Sequence, residues 1–120
     1  MIENSVNRKA LDRAILLGEL AVSQKTMEEF IDVLFREKFD KYFPNDEERL
    51  VIANKIEFNS KPFNPPEQIT DCRDPTDNKF LELAVAAKAS CIITGDKDLL
   101  VLNPCRGIII LNAYDFLKQF

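Results

Sequence analysis

Asp74-Pro75-Thr76-Asp77-Asn78-Lys79-Phe80-Leu81-Glu82-Leu83-Ala84, followed by Cys91-Ile92-Ile93-Thr94-Gly95-Asp96-Lys97-Asp98, reads as a helix leading into a buried strand. Asp74 can cap the helix, and Pro75 suits its first position because the missing N–H would have no intrahelical partner there. Phe80, Leu81, Ala84 and Val85 recur at helical spacing and give the helix its buried face. Cys91 to Thr94 is a continuous apolar run, the pattern of a strand covered on both faces in a parallel sheet. Gly95-Asp96-Lys97-Asp98 ends it.

The same grammar extends in both directions. Leu99 to Leu102 is a short helical or turn segment, Gly107 to Leu111 another buried strand, and Asn112 with Asp115 opens a final helix through Phe116 and Leu117. Helix and strand in alternation imply crossover connections and a parallel sheet. Upstream, residues 7–18 read as a helix with Ala10, Leu11, Ala14 and Ile15 on one stripe, widened by Leu17 and stopped at Gly18. Leu20-Ala21-Val22 is a short strand.

Ser23, or Thr26 with Glu29 as a capping box, then starts a helix carrying Met27, Phe30, Ile31 and Leu34 inward and running to about Lys38. Phe39 to Pro44 is a break, and Asn45 caps a third helix with Leu50, Ala53 and Ile56 inward. Asn59 to Pro66 contains three prolines and is expected to be irregular, with at most a brief strand near Gln68 to Thr70. The expectation is one α/β domain over residues 1–120.

Composition removes several chemistries. The chain has no histidine, which excludes Ser-His-Asp and Cys-His nucleophile pairs and His-based zinc sites. Three cysteines without C-x-x-C spacing indicate neither a disulfide framework nor a zinc site, and a reducing cytoplasm is the simplest setting. No apolar stretch approaches the length of a membrane span. A net charge of −4 argues against gripping nucleic acid by bulk positive charge. Nucleic-acid chemistry here would run through bound cations.

The acids have definite addresses. Asp96 and Asp98 follow the carboxyl end of a buried strand, where ligand sites form in open α/β sheets. Asp77 precedes Phe80, Leu81 and Ala84 at helical spacing, so it lies on the core-facing stripe at the helix mouth. Glu29, near the start of the second helix, can reach the same edge. Oxygen-only ligands select hard cations such as Mg²⁺ or Mn²⁺, which clamp a phosphodiester, activate water and stabilise the leaving oxygen. The plainer reading stays open: a cap suffices for Asp77 or Glu29 alone, and Gly-Asp-Lys-Asp is also a turn. Arg73, Lys79, Lys97 and Arg106 lie near this edge, as phosphate contacts or as ordinary surface charge. Cys72 is read as a small buried filler.

Residues 71–84 and 93–100 resemble the C-terminal half of a PIN domain, and residues 21–39 are similar to the same branch, which is described as toxin components of bacterial toxin–antitoxin systems. The resemblance implies a three-layer domain with a parallel sheet flanked by helices. It also implies a metal-dependent ribonuclease, with Glu29, Asp77 and Asp96 as catalytic metal ligands, Asp98 in support, and Arg73, Lys79 and Lys97 toward RNA. Asp74 matches the family's Asp-Pro helix start and is expected to be a cap. The family opens with a central strand ending in an aspartate, and residues 1–6 are too few and too polar to form it. The expected consequences are lowered activity, or an inactive binding module with an antitoxin-like partner. The gap would be closed by pairing of strands 20–22 and 91–94, by a second copy, or by a rearranged N-terminus, unless the natural chain begins upstream of Met1.

Overall fold

The computed structural model describes residues 6–36, 46–66 and 68–120, with the side chain of Asn7 left aside. In chain order the elements are α1 (Val6–Leu17), β1 (Leu20–Val22), α2 (Gln24–Leu34), α3 (Asp46–Phe58), β2 (Ser60–Pro62), a 3-10 turn (Pro75–Asp77), α4 (Asn78–Ala87), β3 (Cys91–Ile93), α5 (Lys97–Leu100), β4 (Ile109–Leu111) and α6 (Ala113–Gln119). The expected break at Phe39 to Pro44, the Asn45 cap and most of the N-terminal segment lie outside the described residues.

The strands form two parallel pairs, β1 with β2 and β3 with β4, in a mixed α/β architecture. Strands 20–22 and 91–94 therefore do not pair with each other directly. Helix α4 packs against both β1 and β3 and links the two pairs.

β2 falls inside the proline-rich stretch that was expected to be irregular. Its register explains how proline is accommodated. The Asn59 carbonyl accepts from the Leu20 N–H at 3.1 Å, and the Phe63 N–H donates to the Val22 carbonyl at 2.8 Å. Alternation turns the Pro62 nitrogen away from β1, so its missing N–H breaks no ladder bond. The brief strand expected near Gln68 to Thr70 does not form, because the Ile69 N–H donates instead to Glu82 Oε2 at 2.9 Å.

Three apolar clusters hold the helices. The central one joins Ile69, Cys72, Leu81, Leu99, Cys105 and Ile110, with Phe80, Val85 and Ile92 packed against it. Leu34 of α2 meets Ile52 and Ala53 of α3, and Ala10 of α1 meets Ala113 and Phe116 of α6. Two inward assignments are corrected. Leu17 is exposed, and Leu50 is 51% exposed while Arg49 and Ile52 take the buried places. The buried stripe of α3 is Arg49, Ile52, Ala53 and Ile56, and Leu50 lies off its i, i+3, i+4 geometry. The Arg49 guanidinium lies 5.6 Å from the Phe35 ring centroid.

Helix boundaries follow local chemistry. Ser23 caps α2 in a reciprocal box with Thr26, whose Oγ1 accepts from the Ser23 N–H at 3.0 Å. Arg106 and Gly107 both have positive φ (51° and 81°) in the tight turn closed by reciprocal Cys105–Ile108 hydrogen bonds, so Gly107 belongs to the turn and β4 starts after it. Among the described residues no helix is long and apolar enough to cross a membrane.

Leu81 is 1% exposed at the centre of the main cluster. Leu81→Ala is expected to lose about 2–4 kcal/mol in urea unfolding, and Leu50→Ala no more than about 0.5 kcal/mol. Equal losses would place the core elsewhere.

Candidate metal centre

Two short segments converge at the mouth of α4. The first is the 3-10 turn. Asp74 begins it, with Oδ1 accepting from the Thr76 N–H at 3.0 Å and the Thr76 hydroxyl at 2.7 Å. Both donors hold the Asp74 carboxyl below its ordinary pKa. The preceding chain is clasped to α4 from below, through Ile69 N–H to Glu82 and Cys72 N–H to Asn78 Oδ1 at 2.9 Å.

The second segment leaves β3. The Asp96 N–H donates to Thr94 Oγ1 at 3.0 Å, and Asp96 Oδ1 accepts from the Asp98 N–H at 2.8 Å to start α5. This pair of side-chain turns fixes where Asp98 stands.

Together they place one carboxylate oxygen from each of Asp74, Asp77 and Asp98 within 4.8 Å of one another. Asp77 is the deepest, at 6% exposed. It makes no side-chain capping hydrogen bond, and its Oδ2 is buried without a partner. A cap therefore does not account for Asp77. Nor does one account for Glu29, since Thr26 occupies the box that Glu29 was expected to complete.

Asp96 serves as the α5 cap and adjoins Asp77, while Glu29 stands at the rim. Of the acids named from sequence, Asp77 and Asp98 sit in the tight trio, and Asp96 and Glu29 act on Asp77 from outside it. Asp74 combines its capping role with membership of the trio.

Burial pushes the Asp77 carboxyl up to about 6, helped by a hydrogen bond with Asp96 and by the negative charges of Asp96, Asp74 and Glu29. Of the trio only Asp77 is buried, and it is the member whose ionised form is disfavoured by desolvation and by the neighbouring charges. The donor set is carboxylate only, with one orphaned buried oxygen, and it fits a hard divalent ion. Cys72, beneath the acids, is pushed up to about 11 by burial and then by the charge of Asp77, so it remains a thiol.

Two of the basic residues named for RNA, Arg73 and Lys79, are engaged with these acids. Arg73 Nη2 lies 2.8 Å from Asp98 Oδ1, and Lys79 Nζ lies 2.8 Å from Glu29 Oε1. Arg106 pairs instead with Asp71 at 3.4 Å, and Lys97 is exposed on α5. Asn78 and Glu82, which position the loop, carry no sequence signal beyond being polar residues on a buried helix.

A family model described as PIN domain matches residues 4–98. An uncharacterized protein of Methanocaldococcus jannaschii is 43% identical over 66 residues, which cover 55% of this chain and 42% of that protein. The chain thus spans less than half the length of the curated relative it matches. No solved structure matches.

The raised pKa of Asp77 has a defined sign in stability. Its contribution is full below the unfolded carboxyl value near 3.8 and is lost as pH rises through about 6. In chelator, Asp77→Asn is expected to match the wild type in urea at pH 4. It is expected to exceed it by on the order of 1–2 kcal/mol at pH 7.5. A difference independent of pH would mean that the carboxyl is not strained in the cation-free fold.

Proposed function

The chain belongs to the PIN domain family, and from that premise we propose that it is a nuclease dependent on Mg²⁺ or Mn²⁺ that hydrolyses RNA phosphodiesters. The observation that carries the proposal is the buried, unpartnered Oδ2 of Asp77 within the Asp74–Asp77–Asp98 trio. A carboxylate oxygen withdrawn from water needs a positive partner, and an all-oxygen set defines which kind. When bound, such an ion polarises a phosphoryl oxygen and makes water acidic enough to attack at neutral pH.

The chain's own residues prepare for this. Asp77 provides the deep ligand, Asp74 and Asp98 the flanking ones, and Glu29 a fourth carboxylate within electrostatic reach. Asp96 holds α5 in place beside Asp77, and Asp77 keeps its own proton below about pH 6, so cation uptake is coupled to proton release. Arg73, Lys79 and Lys97 are the groups available to meet a phosphate backbone. The toxin-type role and an antitoxin-like partner belong to this proposal and draw on the resemblance of residues 21–39, 71–84 and 93–100; self-association draws on the family's first strand not being found, and a cytoplasmic setting on the cysteine pattern.

One set of contacts favours a second reading. Arg73 and Lys79 already neutralise Asp98 and Glu29, while Asp74 and Asp96 are engaged as caps, as in a PIN-like module that binds or assembles without catalysis.

Single-stranded RNA is expected to be cut in manganese, spared in EDTA, and cut at least roughly 10–100-fold more slowly by Asp77→Asn and by Asp96→Asn. Cleavage at wild-type rate by both variants would remove these acids from the mechanism. Manganese that raises the melting temperature without any cleavage would select the second reading.

A further inference from the structure

Glu29 and Asp98 meet their cations in different ways. Asp98 carries Arg73 at 2.8 Å and still has an oxygen within 4.8 Å of Asp74 and Asp77. Glu29 carries Lys79 at 2.8 Å and stands outside that trio, although its charge reaches Asp77. Arg73 can therefore stay where it is when an ion enters, whereas Glu29, held by Lys79 outside the trio, has to move toward it to contribute an oxygen.

The placement of Lys79 is unusual for a lysine. It is the second residue of α4, in the first turn, where the helix dipole opposes a positive charge. Its side chain is only 17% exposed and spans the mouth of the helix. The ammonium donates to the Thr76 carbonyl, inside the turn that joins Asp74 to Asp77, and also contacts Glu29. It lies 5.4 Å from the Phe80 ring centroid. What holds a cation there is the surrounding negative charge. Lys79 is thus a monovalent cation tethered to the rim of the acid cluster, and the acid it occupies lies outside the trio.

We propose that Lys79 is an exchangeable counter-ion: its ammonium holds Glu29 in the cation-free protein, and Glu29 leaves it to join Asp74, Asp77 and Asp98 around a divalent ion. The inference rests on the reading of the trio as a metal centre. It makes Lys79 a positioning residue that acts through Glu29. Its presence stabilises the empty cluster and weakens ion binding, because the ion must displace an ammonium that is already in place. The glutamate side chain has the torsional freedom to swing between the two partners, and the Lys79 stem remains packed along α4 in either state.

The test is a double-mutant cycle read by calorimetric manganese titration of wild type, Lys79→Met, Glu29→Gln and the double variant, with melting in EDTA as the folding control. Lys79→Met is expected to bind manganese roughly three- to ten-fold more tightly than wild type while melting lower in EDTA. Glu29→Gln is expected to bind more weakly, and adding Lys79→Met to it to change affinity by less than about two-fold. Lys79→Arg, which keeps the charge, should restore wild-type affinity within about two-fold.

Unchanged or weaker binding by a folded Lys79→Met protein overturns the exchange. So does a tightening of equal size in the Glu29→Gln background, since Lys79 would then act as a background charge only. A wild-type protein that takes up no manganese brings down the metal-centre reading itself, and the exchange with it. A wild type that binds manganese with no coupling between the two residues brings down the exchange alone.

Discussion

The arrangement around the mouth of α4 depends on one unfavourable burial. Asp77 is withdrawn from solvent with an oxygen left unpartnered, beside Asp96 and facing Asp74 and Asp98. Leaving a carboxylate oxygen desolvated costs free energy that a hydrogen-bond donor, a proton or a cation can offset, and no donor meets Asp77 Oδ2. The protein supplies the proton, by holding Asp77 uncharged to about pH 6, and it supplies Lys79 and Arg73 for the rim acids. Stability given up at this spot is characteristic of sites built for something other than the fold. The apolar contacts of Leu81, Ile110 and Leu99 immediately below allow the chain to tolerate it.

The positions of the acids are set by backbone hydrogen bonds more than by the acids themselves. Thr76 fixes Asp74, Thr94 fixes the turn at Asp96, Asp96 fixes Asp98, and Asn78 with Glu82 pin the chain that enters the turn. Each of these polar groups has a partner of its own, which leaves the Asp77 oxygen as the exception in an otherwise satisfied neighbourhood. That contrast separates Asp77 from the capping acids.

Much of this was legible in the residues. The Asp-Pro-Thr-Asp start, the helical stripe after it and the apolar run before Gly95 located α4 and β3, while the trio between them holds Asp74 and Asp98 with Asp77 rather than Glu29 and Asp96. Asp77 was legible because its spacing to Leu81 and Ala84 placed it on an inward face. Other features depended on tertiary partners. Whether Glu29 or Thr26 completed the α2 cap turned on a single residue of phase that propensity does not resolve. The strand through Pro62 was hidden because proline is excluded from a ladder only on the side that pairs, and sequence does not state the side. Arg49 rather than Leu50 faces inward, with its guanidinium over the Phe35 ring, a contact between distant segments.

The division of the strands into two parallel pairs bears on how the molecule comes apart. Among the described residues no ladder hydrogen bond crosses from β1–β2 to β3–β4, and α4 touches both. Amide hydrogen exchange should then sort into two sets of opening energies. The slower set would follow β3, β4 and the buried face of α4, and the faster one β1, β2 and the α2–α3 pair. With its N-terminal turn at the acids and its flank on both pairs, α4 is the strut along which a charge change at its mouth would alter the cooperativity of the whole chain.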